Sequence, residues 1–207
     1  MDFRKVKYSK MKEQLRDLRN KIRRMKLTNC EFTIIANNCL AGCVLHDFKL
    51  RFDTPTINLY IPFPDYMFFL KNLKQIVYAE FVQLPSENSH PVGLLGGVVR
   101  VYFLHYQTFN EAVSSWKRRA ARIHWDKLYV VMSERDGCTE ADLVKFDSLP
   151  YRNKIAFTHV RYPSVFNSFY IRGFEEKSEL GNIMDFRGLF GRKYYDQFDW
   201  VKFLNQK

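Results

Sequence analysis

The sequence lacks the features that mark a membrane, exported or nucleotide-binding protein. Its longest apolar runs, such as residues 128–132, fall far short of the roughly 20 residues a bilayer span requires. Residues 1–27 are charged throughout and contain no apolar stretch of the kind a secretion signal needs, so a cytoplasmic location is expected. Cysteines number only 4, and without an export signal they are expected as free thiols in a reducing compartment. No Gly-x-Gly-x-x-Gly follows a predicted strand and no Gly-Lys-Ser/Thr phosphate loop occurs, so both standard nucleotide signatures are missing. Leu95-Gly96-Gly97 stands before a predicted strand, not after one. No Asp-x-Asp metal pair falls in the predicted strand-end loops, and there is no internal repeat or low-complexity linker.

What is present is a core-forming composition. Hydrophobic residues make up 46% of the 207 and aromatics 16%, enough for one α/β domain with an added arm. The net charge of +11 suggests nucleic acid until its distribution is read. Residues 1–27 hold 11 Lys/Arg against 3 Asp/Glu, while the remaining 180 hold 22 against 19. The basicity therefore belongs to the arm, and with no recognised binding motif beside it nucleic acid is an unlikely partner. In the arm Met11, Leu15, Leu18, Ile22 and Met25 recur at alternating spacings of four and three, one narrow stripe of an amphipathic helix. Three roles fit it: docking the stripe on the domain with the charges in solvent, resting residues 4–26 on anionic lipid at the inner membrane, or a short coiled-coil contact with another protomer.

Along residues 28–207 strand and helix signals alternate. Strands are expected over 31–36, 57–61, 98–104, 127–132, 154–158 and 168–171. Helices are expected over 40–48, 65–78, 108–123 and 140–146, the last two capped by Thr108 with Glu111 and by Thr139 with Asp142. Residues 85–97 read as a loop or hairpin connection, and Tyr194, Tyr195, Phe198, Trp200 and Phe203 as pins for a final helix. The fold class that follows is α/β, a mostly parallel central sheet with helices on both faces plus the N-terminal basic helix.

Ligands of such sheets bind outside the carboxyl ends of the strands. Cys39, His105, Asp136 and His159 each fall just after a predicted strand. If those strands are parallel, a thiol, two imidazoles and a carboxylate share one edge, the components of nucleophilic acyl transfer. The imidazole would take the thiol proton and the carboxylate would hold its tautomer. Asn37 and Asn38, or nearby backbone N–H groups, would serve an oxyanion. Arg135 and Thr139 are the polar substrate contacts expected beside Asp136. Each group also has an ordinary reading as a packed thiol, a half-buried histidine or an Asp-Gly turn. Cys43 and His46 share a helical face with Cys39, but no paired Cys-x-x-Cys completes a zinc set, and no metal is expected.

Asn37-Asn38-Cys39, the run from Thr54 through Leu59, Phe103-Leu104-His105-Tyr106, Arg135-Asp136-Gly137-Cys138-Thr139, Phe157-Thr158-His159 and Tyr194-Tyr195-Asp196-Gln197-Phe198-Asp199-Trp200 occur in this order. Together, over residues 28–204, they resemble a bacterial domain family labelled as exopolysaccharide or capsule biosynthesis proteins. That family has an aromatic and a second glycine after the Asn-Asn-Cys; Leu40 and Ala41 stand there here, so no substrate role is carried to those two positions. The resemblance implies a cytoplasmic α/β protein near cell-surface glycan assembly. With the strand-end groups it gives the expectation of an acyl or acetyl transferase using Cys39 as nucleophile, an acyl-CoA donor, and a glycan or lipid-linked sugar as substrate. The alternatives are a glycosyltransferase-like protein that binds a sugar nucleotide through Arg135 and Asp136, and a non-catalytic subunit of a glycan assembly complex.

Overall fold

A computed structural model describes residues 3–87, 89–188 and 190–206; Met1 and Asp2 of the arm and Asn88 of the 85–97 connection lie outside the described residues. Three apolar strands form its centre: β1 (Thr33–Ala36), β5 (Leu128–Ser133) and β6 (Asn153–Thr158), with the short β7 (Ser168–Tyr170) at one edge. They pair β1-β5-β6-β7, all parallel, with Ile35 beside Val130, Met132 beside Ala156 and Thr158 beside Tyr170. Alternate residues feed two cores, because successive side chains of a strand leave opposite faces. Ile35, Val130, Met132 and Ala156 join one; Ile34, Ala36, Val131, Ile155 and Phe157 join the other. The first is covered by α3 (Phe63–Lys71), α4 (Leu73–Ile76), α5 (Phe109–Ala120) and α6 (Glu140–Asp147), the second by α2 (Leu40–Asp47) and α7 (Trp200–Leu204). The fold is thus the expected α/β arrangement, with buried near-continuous apolar strands as a doubly covered parallel sheet requires.

Local chemistry accounts for most boundaries. Thr139 and Asp142 form the reciprocal capping box at α6, and Thr108 Oγ1 accepts from the Glu111 N–H at α5. The helix expected over 65–78 is instead two, broken at Asn72. The strand expected over 57–61 does not form: Asn58 takes a left-handed conformation (φ 59°), and Tyr60 makes only an isolated antiparallel bridge to Tyr102. The 98–104 strand is present as β4 (Val99–Tyr102), but it lies outside the parallel sheet. It pairs antiparallel with β3 (Val92–Leu95), which pairs with β2 (Phe81–Leu84). Gly96 and Gly97, both at positive φ, make the tight β3–β4 turn, so this glycine pair joins two strands of a hairpin.

The arm, α1 (Phe3–Met25), docks in reverse of the simplest expectation. Arg16, Arg19 and Arg23 face the domain and the apolar stripe faces solvent, from Leu15 at 40% exposed to Met25 at 78%. Arg16, 6% exposed, grips both carboxylate oxygens of Asp47 at the end of α2 and donates to Asp196 Oδ2 (2.6 Å) and the Tyr195 hydroxyl (2.6 Å). Arg19 (3.1 Å) and Arg23 (2.8 Å) converge on the same Asp196. The short hairpin of β8 (Phe186–Arg187) and β9 (Arg192–Lys193) brings the tail against α1. Gly191 (φ 64°) sits so near that an added Cβ would lie 2.1 Å from the Lys12 carbonyl oxygen. Gly191→Ala is therefore expected to cost about 1–3 kcal/mol, from strain and lost arm contacts together, read as a lowered midpoint in thermal unfolding. Among the described residues no helix is long and apolar enough to cross a membrane.

Candidate functional site at the carboxyl edge of the sheet

The carboxyl ends of β1, β5 and β6 concentrate the buried polar groups: Asn37, Asn38, Ser133, Glu134, Thr158 and His159. Asn37 is consumed in a two-way clamp across the sheet, accepting from the Ser133 N–H (3.0 Å) and donating to the Ser133 carbonyl (3.2 Å). Asn38 Oδ1 accepts from the Leu40 N–H (3.0 Å), satisfying an otherwise unpaired donor at the start of α2, and its Nδ2 donates to Ser133 Oγ (2.9 Å). These two amides lock the β1 turn to β5.

Cys39 follows at the first position before α2, half-buried, with its thiol 3.6 Å from the Leu59 carbonyl. Burial, and next the Cys43 thiol, push Cys39 up to about 11, outweighing that hydrogen bond; a helix N-terminus alone would act in the other direction. His105 is exposed, and its N–H reaches the Asn58 carbonyl at 3.4 Å. Asp136 Oδ2 accepts from the Phe63 N–H (3.0 Å) at the start of α3, a favourable place for a carboxylate. The Tyr60 phenol is raised by burial first and by the Asp136 carboxylate second. Cys39, His105 and Asp136 thus surround one segment, residues 58–63, and among the described residues no hydrogen bond joins the thiol to either imidazole. Arg135 Nε lies 3.6 Å from Glu179 Oε1, and Glu179 Oε2 accepts from the Asp136 N–H (2.7 Å). Thr139 is engaged in its capping box.

At pH 8, alkylation of Cys39, its thiol pushed up to about 11 by burial, is expected to be on the order of 100-fold slower than that of an unburied thiol. Mass spectrometry of iodoacetamide-treated native protein measures this, with the exposed Cys30 as internal reference. Labelling of Cys39 as fast as Cys30 would restore it as a nucleophile.

The most developed pair in the site is His159 with Glu134. Glu134 is 1% exposed and directly follows β5; His159 is 8% exposed and directly follows β6. The parallel register, Ser133 beside Phe157, makes them neighbours. Glu134 Oε2 lies 2.7 Å from His159 Nδ1 and accepts from the His159 backbone N–H (2.9 Å), while Oε1 accepts from the Tyr162 hydroxyl (2.8 Å). A carboxylate accepts only, so Nδ1 carries a proton, and in the neutral imidazole Nε2 then holds the lone pair. Nε2 makes no hydrogen bond among the described residues and is not among the sealed unbonded atoms. Tyr162 is raised by burial first and by Glu134 next, and Cys138 is pushed up to about 12 by burial and the carboxylates around it. The Glu134 partnership is invisible without register; the one sequence signal is a glutamate two residues after the apolar run 128–132.

A hollow of about 640 Å³ lies at the opposite edge, where Trp125, Tyr151 and Arg152 flank the amino ends of β5 and β6. It contains no comparable acid–base pair, and parallel sheets place ligands at the other end. Among the described residues no group of three or more His, Cys, Asp or Glu side chains is placed to hold a metal ion.

An open parallel sheet covered on both faces defines the chain as an α/β protein. More particularly, it belongs to the family known as the domain of unknown function DUF1919, whose pattern it matches over residues 10–205. It is also 39% identical, over 203 residues and 98% of either chain, to an uncharacterized protein of Haemophilus influenzae.

Proposed function

We propose that this chain is a transferase acting on a hydroxyl group of a bacterial surface glycan or its lipid-linked precursor, with His159 as general base. The observation that carries the reading is the Glu134–His159 pair: a buried carboxylate fixing Nδ1–H, with Nε2 unbonded at the edge where such sheets bind ligands. The acceptor O–H would give its proton to Nε2 as its oxygen bonds to the electrophilic carbon of the donor. The bond from that carbon to the donor's leaving group would break, the leaving group keeping the electron pair. Glu134 would stabilise the imidazolium so formed. Acyl transfer from an acyl-CoA and glycosyl transfer from a sugar nucleotide both fit this proton movement. The glycan acceptor rests on the motif resemblance to exopolysaccharide and capsule biosynthesis proteins. Cys39 takes a structural part in this reading, supported by its raised pKa and its bond to Leu59.

The test is a strain lacking the chain, complemented in parallel with wild type and with His159→Gln. Mass spectrometry of the surface glycan should show a substituent or sugar restored by the first and absent with the second, at equal protein levels. Equal restoration by both removes His159 from the chemistry.

A further inference from the structure

Along β7, the edge strand paired with β6, lies a hollow of about 450 Å³ whose charged lining is entirely basic. Arg161, Arg172 and Arg187 line it with Ser168, Tyr170 and Gln197. They come from three separate segments. Arg161 is two residues beyond His159, Arg172 two beyond the end of β7, and Arg187 lies in β8. The β6–β7 pairing joins this hollow to the candidate site, since Thr158 lies beside Tyr170 and the Ile171 N–H donates to the Thr158 carbonyl (2.9 Å).

The convergence is built, not incidental. Gln197 holds the Arg172 backbone from both sides, accepting from its N–H (3.2 Å) and donating to its carbonyl (3.1 Å). The Arg161 guanidinium lies over the Tyr170 ring, 5.4 Å from its centroid. Among the described residues none of the three guanidiniums forms an ion pair, whereas Arg16, Arg19, Arg23, Arg51 and Arg122 all do. The adjacent carboxylate, Glu175, is taken up by the Tyr170 hydroxyl and the Gly173 N–H (2.9 and 3.0 Å). Three like charges in one concave space repel each other, and a polyanion is the chemistry that relieves this. Guanidiniums are suited to it, because their forked donors match phosphate oxygens two at a time. Arg187 also lines a neighbouring hollow with Arg192, Lys193 and the Asp196 that pairs with the arm.

We infer that the Arg161–Arg172–Arg187 hollow is a diphosphate subsite, holding the pyrophosphate of an activated donor whose reacting carbon faces His159. This rests on the transferase reading and adds the chemical class of the donor to it. Nucleoside-diphosphate sugars and acyl-CoA share this group, so the experiment separates them. Isothermal titration at low salt is run on the full chain with inorganic pyrophosphate, uridine diphosphate and CoA. Pyrophosphate should bind, and Arg172→Ala and Arg187→Ala should each weaken it about tenfold or more, with Arg172→Lys recovering only part. Far-UV circular dichroism and unfolding midpoints matching wild type show that these exposed-site variants fold. Tighter binding of uridine diphosphate than of pyrophosphate supports the subsite and selects glycosyl transfer; tighter binding of CoA supports it and selects acyl transfer. Absence of pyrophosphate binding, or affinity unchanged in the Arg172→Ala/Arg187→Ala double variant, overturns the subsite. His159→Gln should bind pyrophosphate as wild type does. If it does so yet restores the glycan fully in the complementation assay, the transferase reading fails while the diphosphate site stands.

Discussion

Arg16→Ala is expected to destabilise the protein by about 3–5 kcal/mol, the range for removing one partner from a buried charge network. Arg16 is 6% exposed and meets two carboxylates and a phenol belonging to α2 and the C-terminal tail. Its removal leaves Asp47 buried beside the Tyr195 hydroxyl without its ion-pair partner, since the carboxylate that Arg19 and Arg23 pair with is Asp196. Arg16→Lys should recover part of the loss, as a single ammonium cannot reproduce the forked contacts. Urea unfolding measures the effect, and a loss below about 1 kcal/mol, the range of an exposed pair, would show that the network contributes little. The same network sets an acid limit. Burial alone would raise the Asp196 pKa, but the Arg16 guanidinium, the Lys193 N–H and Arg19 outweigh it and hold the carboxyl below its ordinary value. A depressed carboxyl contributes stability that is complete above the unfolded pKa of about 4 and is lost as pH falls through the lower folded one. Release of α1 should therefore begin only below about pH 4. Limited proteolysis with an acid-active protease, followed by mass spectrometry of the first cut, would record it as cleavage shifting to residues 11–25.

His159→Gln is expected to lower turnover by about 10²–10⁴-fold, the usual contribution of a positioned general base. KM should change little, because in this reading the base acts on the acceptor proton in the transition state. Glu134→Gln is the more discriminating change. An amide oxygen can still accept from the two His159 N–H groups, and its NH₂ can donate to the Tyr162 oxygen, so the fold is expected to survive. What it removes is the negative charge that stabilises the imidazolium, and turnover should fall at least about tenfold with the structure intact. Loss of folding in Glu134→Gln with turnover untouched in His159→Gln would make the pair a buried structural contact. The assay is release of the donor's leaving group in purified protein, on the donor class selected by the titrations.

The central sheet was legible because β1, β5 and β6 are short, continuous apolar runs, and the α6 cap because its two reciprocal bonds span only three residues. Residues 57–61 alternate like a strand, yet the left-handed Asn58 ends any regular ladder there, and periodicity cannot register one backbone angle. The direction of β4 was equally hidden. Val99–Tyr102 has a strand's pattern whichever neighbour it pairs with, so His105 was placed at a parallel edge when it follows an antiparallel hairpin. The helix of the arm was plain from its spacing, but not which face would dock. That was decided by one carboxylate, Asp196, which sits 173 to 180 positions from its arginine partners. Glu134 stood in view among the polar residues after β5. Its partner lies 25 positions on, and only strand register places them side by side.

The arginine-faced arm also has a consequence for the order in which the chain is made. A ribosome produces α1 well over a hundred residues before Gly191, Tyr195, Asp196 and the Asn205 that bonds Lys26 and Thr28. Until those residues emerge, Arg16 has only its Asp47 contact, and Arg19 and Arg23 lack their Asp196 acceptor. The nascent domain must collapse around its sheet with its first helix unclasped. Closing that clasp is a late, long-range event, the kind that loop-closure entropy makes slow.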